Sequence, residues 1–113
     1  MSARLPVHLE VSGLIRAVDA AGGFATVLAK GERDAGTLLI VTTHNGADSC
    51  AWERMPRPDG VRVWQVTRRE DPADPGAFTH YWQRRREQDE DLWVLELDIA
   101  DAKRFIDDAG TYD

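Results

Sequence analysis

The sequence feature that most constrains the fold is a continuous apolar run, Leu38-Leu39-Ile40-Val41, at the centre of residues 37–43. A strand with one solvated face alternates apolar and polar residues, whereas a strand covered on both faces is apolar throughout. The run therefore predicts a β-strand at 37–43 whose two faces are both covered by other parts of the protein.

Two segments have the pattern of a helix. Apolar residues near the N-terminus recur with a 3.6-residue period, which predicts an amphipathic helix at about 6–21. The residues of this stripe are Val7, Val11, Leu14, Ile15 and Val18. A second helix is predicted at about 75–88, because Asp74 suits an N-cap and Pro75 suits the first helical position. Its common face carries Phe78, Tyr81, Trp82 and Arg85.

The remaining segments predict further strands joined by short turns. These strands are expected at 24–30, 50–55, 61–67 and 92–99, and Asn45-Gly46 is a strong hairpin signal. The order α-β-β-β-β-α-β predicts an α+β fold: an antiparallel meander of about five strands, with two helices covering one face. We expect a single domain over residues 1–113, with a tail from about residue 100 that frays after one helical turn.

The distribution of charge limits the kinds of partner. Residues 1–69 carry nine Lys and Arg against seven Asp and Glu, whereas residues 70–113 carry five against thirteen. The acidic half would repel nucleic acid, whose non-specific binding depends on phosphate neutralisation. No segment has the apolar length of a signal peptide or of a membrane span. We therefore predict a cytoplasmic protein that binds neither nucleic acid nor membrane.

Three segments together carry a recognisable family pattern. The first is Leu14–Phe24, a helix end whose two glycines lead into a strand. The second is the glycine-bracketed turn Gly31–Gly36, which is followed by an aliphatic strand. The third is the basic run Arg84-Arg85-Arg86 followed by Asp89-Glu90-Asp91-Leu92-Trp93-Val94.

With these motifs the chain resembles a small bacterial family, the domain of unknown function 1491. The family pattern has Asp where this chain has Glu32 and Pro where it has Glu90. The resemblance covers most of the chain, from the first helix to the last strand. It implies a fold without an assigned activity, so it assigns no catalytic residue to any position.

No metal or cofactor site is predicted. The acids of 89–91, with Glu96 and Asp98, could bind a divalent cation through oxygen ligands, but consecutive carboxylates rarely converge on one ion. We interpret 89–91 as a solvated loop whose acids pair with the arginines of 84–86. His44, Asp48 and Cys50 lie around one predicted hairpin, but they lack a recognised zinc spacing.

No catalytic site is predicted either. Cys50 and His44 could form a nucleophile and its base, but such a pair needs an orienting third group and an oxyanion hole. A single cysteine on a strand is more often a small core residue. The sequence also lacks a nucleophile elbow, a P-loop and a dinucleotide-binding glycine pattern.

The leading hypothesis is a non-catalytic interaction module that binds a protein partner or forms a homodimer. Indole side chains are common interface anchors, and we expect Trp52 and Trp64 to be partly exposed on short strands. The turn residues Arg33 and Asp34 are candidates for contacting the same partner.

The competing hypothesis is a small-molecule-binding protein or small enzyme. Its pocket would lie between the second helix and the sheet, where polar helix residues face Glu96 or Asp98. The candidate pocket residues are His80, Tyr81, Arg84 and Arg85. A deep pocket with convergent polar groups would favour this hypothesis over an interaction module.

Overall fold

A computed structural model of the protein describes residues 5–109. The helices are α1 (Val7–Ala20), α2 (Pro75–Gln88) and α3 (Lys103–Ala109). The strands are β1 (Phe24–Ala29), β2 (Leu38–His44), β3 (Ala47–Pro56), β4 (Arg62–Arg69) and β5 (Trp93–Asp98). The predicted helices and strands all occur, with ends shifted by a few residues.

The helical turn predicted in the tail occurs as part of the seven-residue helix α3. α3 follows β5, and Ile106 on this helix is fully buried against α1 and the sheet. The fraying predicted beyond this helical turn stays a prediction. Residues 110–113 of the predicted tail lie outside the described residues.

The five strands form one mixed sheet in the order β1-β5-β2-β3-β4. β5 lies between β1 and β2, antiparallel to β1 and parallel to β2. The predicted antiparallel meander is therefore wrong, although the α+β class is confirmed. The physical reason is burial: β2 and β5 carry the most completely buried residues of the sheet, so they take adjacent central positions.

The helices lie on both faces of the sheet, not on one face as predicted. α1 and α3 pack on the face that carries Leu38 and Ile40. α2 packs on the opposite face, which carries Leu39 and Val41. This arrangement confirms that β2 is covered on both faces. Of the described helices, none is both long and apolar enough to span a membrane.

Asn45-Gly46 forms the predicted hairpin turn between β2 and β3. Both residues have positive φ angles, 54° and 76°. These angles fit the type I′ turn that closes a two-residue hairpin and matches the twist of the strands.

Residues 31–36 form a crossover strap rather than a hairpin turn. The strap crosses the start of β5 as the chain passes from β1 to β2. The Glu32 N–H donates to the Asp91 carbonyl at 3.1 Å, and the Trp93 indole N–H donates to the Glu32 carbonyl at 2.6 Å. A β carbon at Gly31 or Gly36 would overlap the Asp91 carbonyl oxygen, so both positions require glycine. Two of the three family motifs thus contact each other.

Candidate functional site

A cleft of about 420 Å³ opens at the end of the sheet where β2 begins. The start of α1, the segment before β2 and the β3–β4 hairpin form its walls. The lining side chains that bear charge include Glu10, Glu53, Arg54 and Arg62. We call this site the Arg62 cleft.

A buried ion pair forms one wall of the Arg62 cleft. Arg54 Nη2 lies 3.0 Å from Glu10 Oε1, and the two side chains are 6% and 4% exposed. The Arg54 guanidinium also lies over the Trp64 ring, 4.8 Å from its centroid. This pair was not predicted from the sequence. Its available signal was Glu10, which follows Val7 at i+3 on the otherwise apolar stripe of α1.

Arg62 is the cleft arginine that lacks an acidic partner. Its Nη2 donates to the Arg54 carbonyl oxygen at 3.3 Å. Its Nε is buried and has no hydrogen-bond partner. None of the carboxylates in the described part of the chain forms an ion pair with it. The guanidinium therefore has unused hydrogen-bonding capacity at the cleft wall.

Only two of the four predicted pocket residues come together. Arg85 Nη2 lies 2.7 Å from Glu53 Oε1, and the Tyr81 hydroxyl lies 3.4 Å from Glu53 Oε2. His80 and Arg84 are exposed and stay outside this cluster. The acid that Arg85 meets is thus Glu53 on β3, rather than the predicted Glu96 or Asp98 on β5.

The cluster around Glu53 favours the ionised carboxylate. Burial alone would raise the pKa of Glu53, but hydrogen bonds from Arg85 and Thr67 outweigh it and lower that pKa below its ordinary value. The same hydrogen bond raises the pKa of Arg85. The two groups therefore satisfy each other, which is typical of a structural pair.

The predicted interaction residues divide into an exposed pair and a core-facing pair. The side chains of Arg33 and Asp34 are 73% and 68% exposed. Trp64 is only 8% exposed, so its predicted exposure is wrong. The ring faces α1 and is covered by Arg54. Trp52 is half-buried on the same face, and its indole N–H donates to the Thr42 hydroxyl at 2.9 Å.

The two edges of the sheet differ in charge. β1 is one edge, and none of its six residues is charged, in a chain that is 30% charged. Phe24 and Val27 on this strand are 73% and 40% exposed. β4 is the other edge and carries three arginines, Arg62, Arg68 and Arg69. Charged residues protect sheet edges from pairing with other chains, so charge protects β4 and does not protect β1, whose register with β5 shifts between Val27 and Ala29.

A groove of about 550 Å³ runs between α1 and β1, and we call it the β1 groove. Its apolar lining includes Ile15 and Val27, and its basic lining is Lys30 and Arg33. The predicted interaction residue Arg33 thus lies beside the unprotected edge. At the other end of β1, Phe24 pairs with the acidic residue Asp98 on β5.

The acidic loop does not form the contacts that the sequence suggested. Arg85 pairs with Glu53, and Arg86 Nη2 donates to the Lys30 carbonyl at 3.1 Å. The predicted pairing of 89–91 with the arginines of 84–86 is therefore wrong. Among the described residues, no three His, Cys, Asp or Glu side chains are grouped to hold a metal ion.

Residues 5–107 match the family model described as protein of unknown function, DUF1491. The chain belongs to the DUF1491 family. A crystal structure of a DUF1491 family protein from Caulobacter crescentus CB15 is similar, with a TM-score of 0.75 and 31% identity. That match covers 90% of this chain and 94% of the other. An NMR structure of a family protein from the same organism matches with a TM-score of 0.73 and 31% identity, covering 90% and 92% of the two chains.

A further similar structure is the solution structure of protein Atu0922 from A. tumefaciens. It has a TM-score of 0.71 and 26% identity, and the match covers 92% of this chain and 93% of that one. The comparison with curated proteins gave no match. The resemblance predicted from the motifs is thus confirmed, and the DUF1491 family is one without an assigned function.

Proposed function

We propose that this DUF1491 protein is a non-catalytic interaction module that forms a homodimer through β1. The observation that carries the proposal is the exposed, uncharged edge strand Phe24–Ala29. An unprotected edge offers unpaired backbone N–H and C=O groups to another strand. The arginine-bearing edge β4 is a poor surface for the same pairing, because like charges would meet across a symmetric interface.

In the simplest pairing, β1 of one copy lies antiparallel to β1 of a second copy, and a two-fold axis relates the two copies. A two-fold interface uses the same patch on both subunits, so the patch must complement itself. Antiparallel pairing brings the Phe24 end of one copy, beside Asp98, to the Lys30 and Arg33 end of the other. Opposite charges therefore meet at both ends of the interface.

The β1 groove supplies apolar surface to the same interface. Side chains alternate across a strand, so a second β1 would direct some of its side chains towards α1. There they would contact Ile15 and Val27 in the groove. Backbone pairing with apolar side-chain burial is a recurrent way in which strands recognise one another.

The competing hypothesis has less support, because Tyr81 and Arg85, two of its predicted pocket residues, contact Glu53. A bacterial source, a cytoplasmic location and the lack of nucleic-acid or membrane partners fit the proposal and stay predictions. The exposed Arg33 and Asp34 stay predicted contact residues, with Arg33 at the β1 groove.

Sedimentation equilibrium over a wide range of concentrations tests the proposal. We expect the wild-type protein to approach twice the 12.7 kDa chain mass as concentration rises. Val27→Lys adds a charge on the unprotected edge and should leave the protein monomeric. Gln65→Lys adds the same charge to an exposed position on β4 and should dimerise like wild type. A wild-type protein that stays monomeric, or a Val27→Lys protein that dimerises normally, contradicts the proposal.

A further inference from the structure

We propose that the Arg62 cleft binds a small monocarboxylate, with Arg62 as the group that holds the carboxylate. This site is separate from β1 and does not depend on self-association. The cleft volume of about 420 Å³ lies within the ordinary range for small-ligand sites.

The charges of the cleft wall leave one cation without a counterion. Arg54 is matched by Glu10 at 3.0 Å, Glu53 by Arg85 at 2.7 Å, and Asp34 by Arg33 at 3.9 Å. Arg62 has no such partner among the described side chains. A ligand with one negative charge would complete the pairing.

The Arg62 side chain is held in position before any ligand arrives. Its Nη2 donates to the Arg54 carbonyl, and its Nε is buried without a partner. A carboxylate is a strong acceptor that matches the planar guanidinium group, and it would accept from the Arg62 Nη donors that the Arg54 carbonyl does not use.

A phosphate group fits the cleft less well than a carboxylate. Backbone N–H groups at a helix start often bind phosphate, but two of those of α1 are already engaged. Val7 N–H donates to the Asp34 carbonyl at 3.3 Å, and His8 N–H donates to the Arg33 carbonyl at 3.1 Å. The carboxylates of Glu10, Glu53 and Asp34 also line the cleft, and they would repel a dianion more strongly than a monoanion.

The apolar part of the cleft lining indicates that the rest of the ligand, apart from its carboxylate, is apolar. Leu5, Pro6, Val7 and Leu38 lie on the side of the cleft formed by α1 and the start of β2. Leu5 is 39% exposed, so a ligand would remove apolar surface from water there. A carboxylate with a short aliphatic chain combines both requirements.

NMR titration of the ¹⁵N-labelled protein with hexanoate tests the site. We expect saturable shifts of the backbone amides of Val7, Leu38 and Arg54. Hexanamide has the same chain without the charge and should bind at least about ten-fold more weakly, since a charge-assisted hydrogen bond is lost. Inorganic phosphate should give no saturable shift at these amides.

Two variants separate the site from non-specific effects. Arg62→Gln should weaken hexanoate binding at least about ten-fold while the amide spectrum stays that of a folded protein. Arg84→Gln removes the same charge from an exposed position on α2 and should bind like wild type. Absence of saturable hexanoate binding, equal binding of hexanamide or phosphate, or full binding by Arg62→Gln would each overturn the proposal.

Discussion

Replacing Glu10 by leucine should be the most destabilising change available at the cleft. Glu10 and Arg54 are 4% and 6% exposed and lie 3.0 Å apart, so the substitution leaves a buried guanidinium without its counterion. Removing one partner of a buried ion pair lowers the free energy of unfolding by about 3–5 kcal/mol. The free energy of unfolding of a native domain is only about 5–15 kcal/mol, so a large part of the stability would be lost.

Replacing Arg54 as well separates the effect of an unpaired buried charge from the effect of lost packing. The double variant Glu10→Leu, Arg54→Met contains no buried charge at this position. Apolar replacement of a whole buried pair is often neutral or stabilising. We therefore expect the double variant to lie within about 1 kcal/mol of wild type.

Urea unfolding followed by circular dichroism measures both effects, with Arg85→Gln as a control. Arg85 and Glu53 form a more exposed pair, 32% and 18% exposed, so its loss should change the free energy by at most about 1 kcal/mol. In a thermal melt the Glu10→Leu change corresponds to a shift on the order of 10–20 °C. A Glu10→Leu protein as stable as the Arg85→Gln protein would refute the reasoning, as would a double variant no more stable than the single one.

Two further predictions concern a glycine of the strap and a carboxylate of the sheet. Gly36→Ala should lower the free energy of unfolding by about 1–3 kcal/mol, because the added β carbon overlaps the Asp91 carbonyl. A β carbon at Gly13 on α1 meets nothing within 4 Å, so Gly13→Ala should raise the free energy of unfolding by about 0.5–1 kcal/mol. Equal losses of stability in the two variants would contradict the close approach of Gly36 to Asp91. Burial, and then the charge of Asp98, raise the pKa of Glu96, so its ionised form disfavours the folded state at neutral pH. Urea unfolding should show that Glu96→Gln is more stable than wild type near pH 7 and that this gain disappears below about pH 4.3; a gain that persists in acid would rule out ionisation as the cause.

Local chemistry made the helices, strands and one turn predictable from the sequence. Pro75 starts α2 where it was expected, and Asn45-Gly46 closes the β2–β3 hairpin. Trp93, Leu95 and Leu97 alternate along β5, and they lie on the face of the strand that packs against α1. These features depend on neighbouring residues, which is why a single sequence indicates them.

The order of the strands depends on contacts that are distant in sequence. Residues 31–36 have a length and composition that fit a hairpin loop, so their local pattern favours pairing of β1 with β2. Their glycines are instead required by the Asp91 carbonyl, which lies far along the chain. The apolar run at 38–41 indicated that both faces of the sheet are covered. The predicted meander, with its helices on one face, did not take this into account.

The cleft was missed because its residues form no sequence motif. Glu10 interrupts the apolar stripe of α1, which indicates a polar group in the core but not its partner. Arg54 and Arg62 look like ordinary exposed strand residues until β3 is placed against α1. Trp64 was predicted to be partly exposed on a short strand, yet Arg54 from the neighbouring strand covers its ring.

The most direct test of self-association through β1 is an isotope-filtered NOE measurement on an equal mixture of labelled and unlabelled protein. Only contacts between two copies give signals in this experiment. We expect cross-chain signals between the Phe24 ring and the Leu28 methyl groups, because antiparallel pairing about a two-fold axis keeps these side chains on the same face of the sheet. Cross-chain signals from β4 alone, or none at concentrations where the protein is dimeric, would contradict the proposed interface.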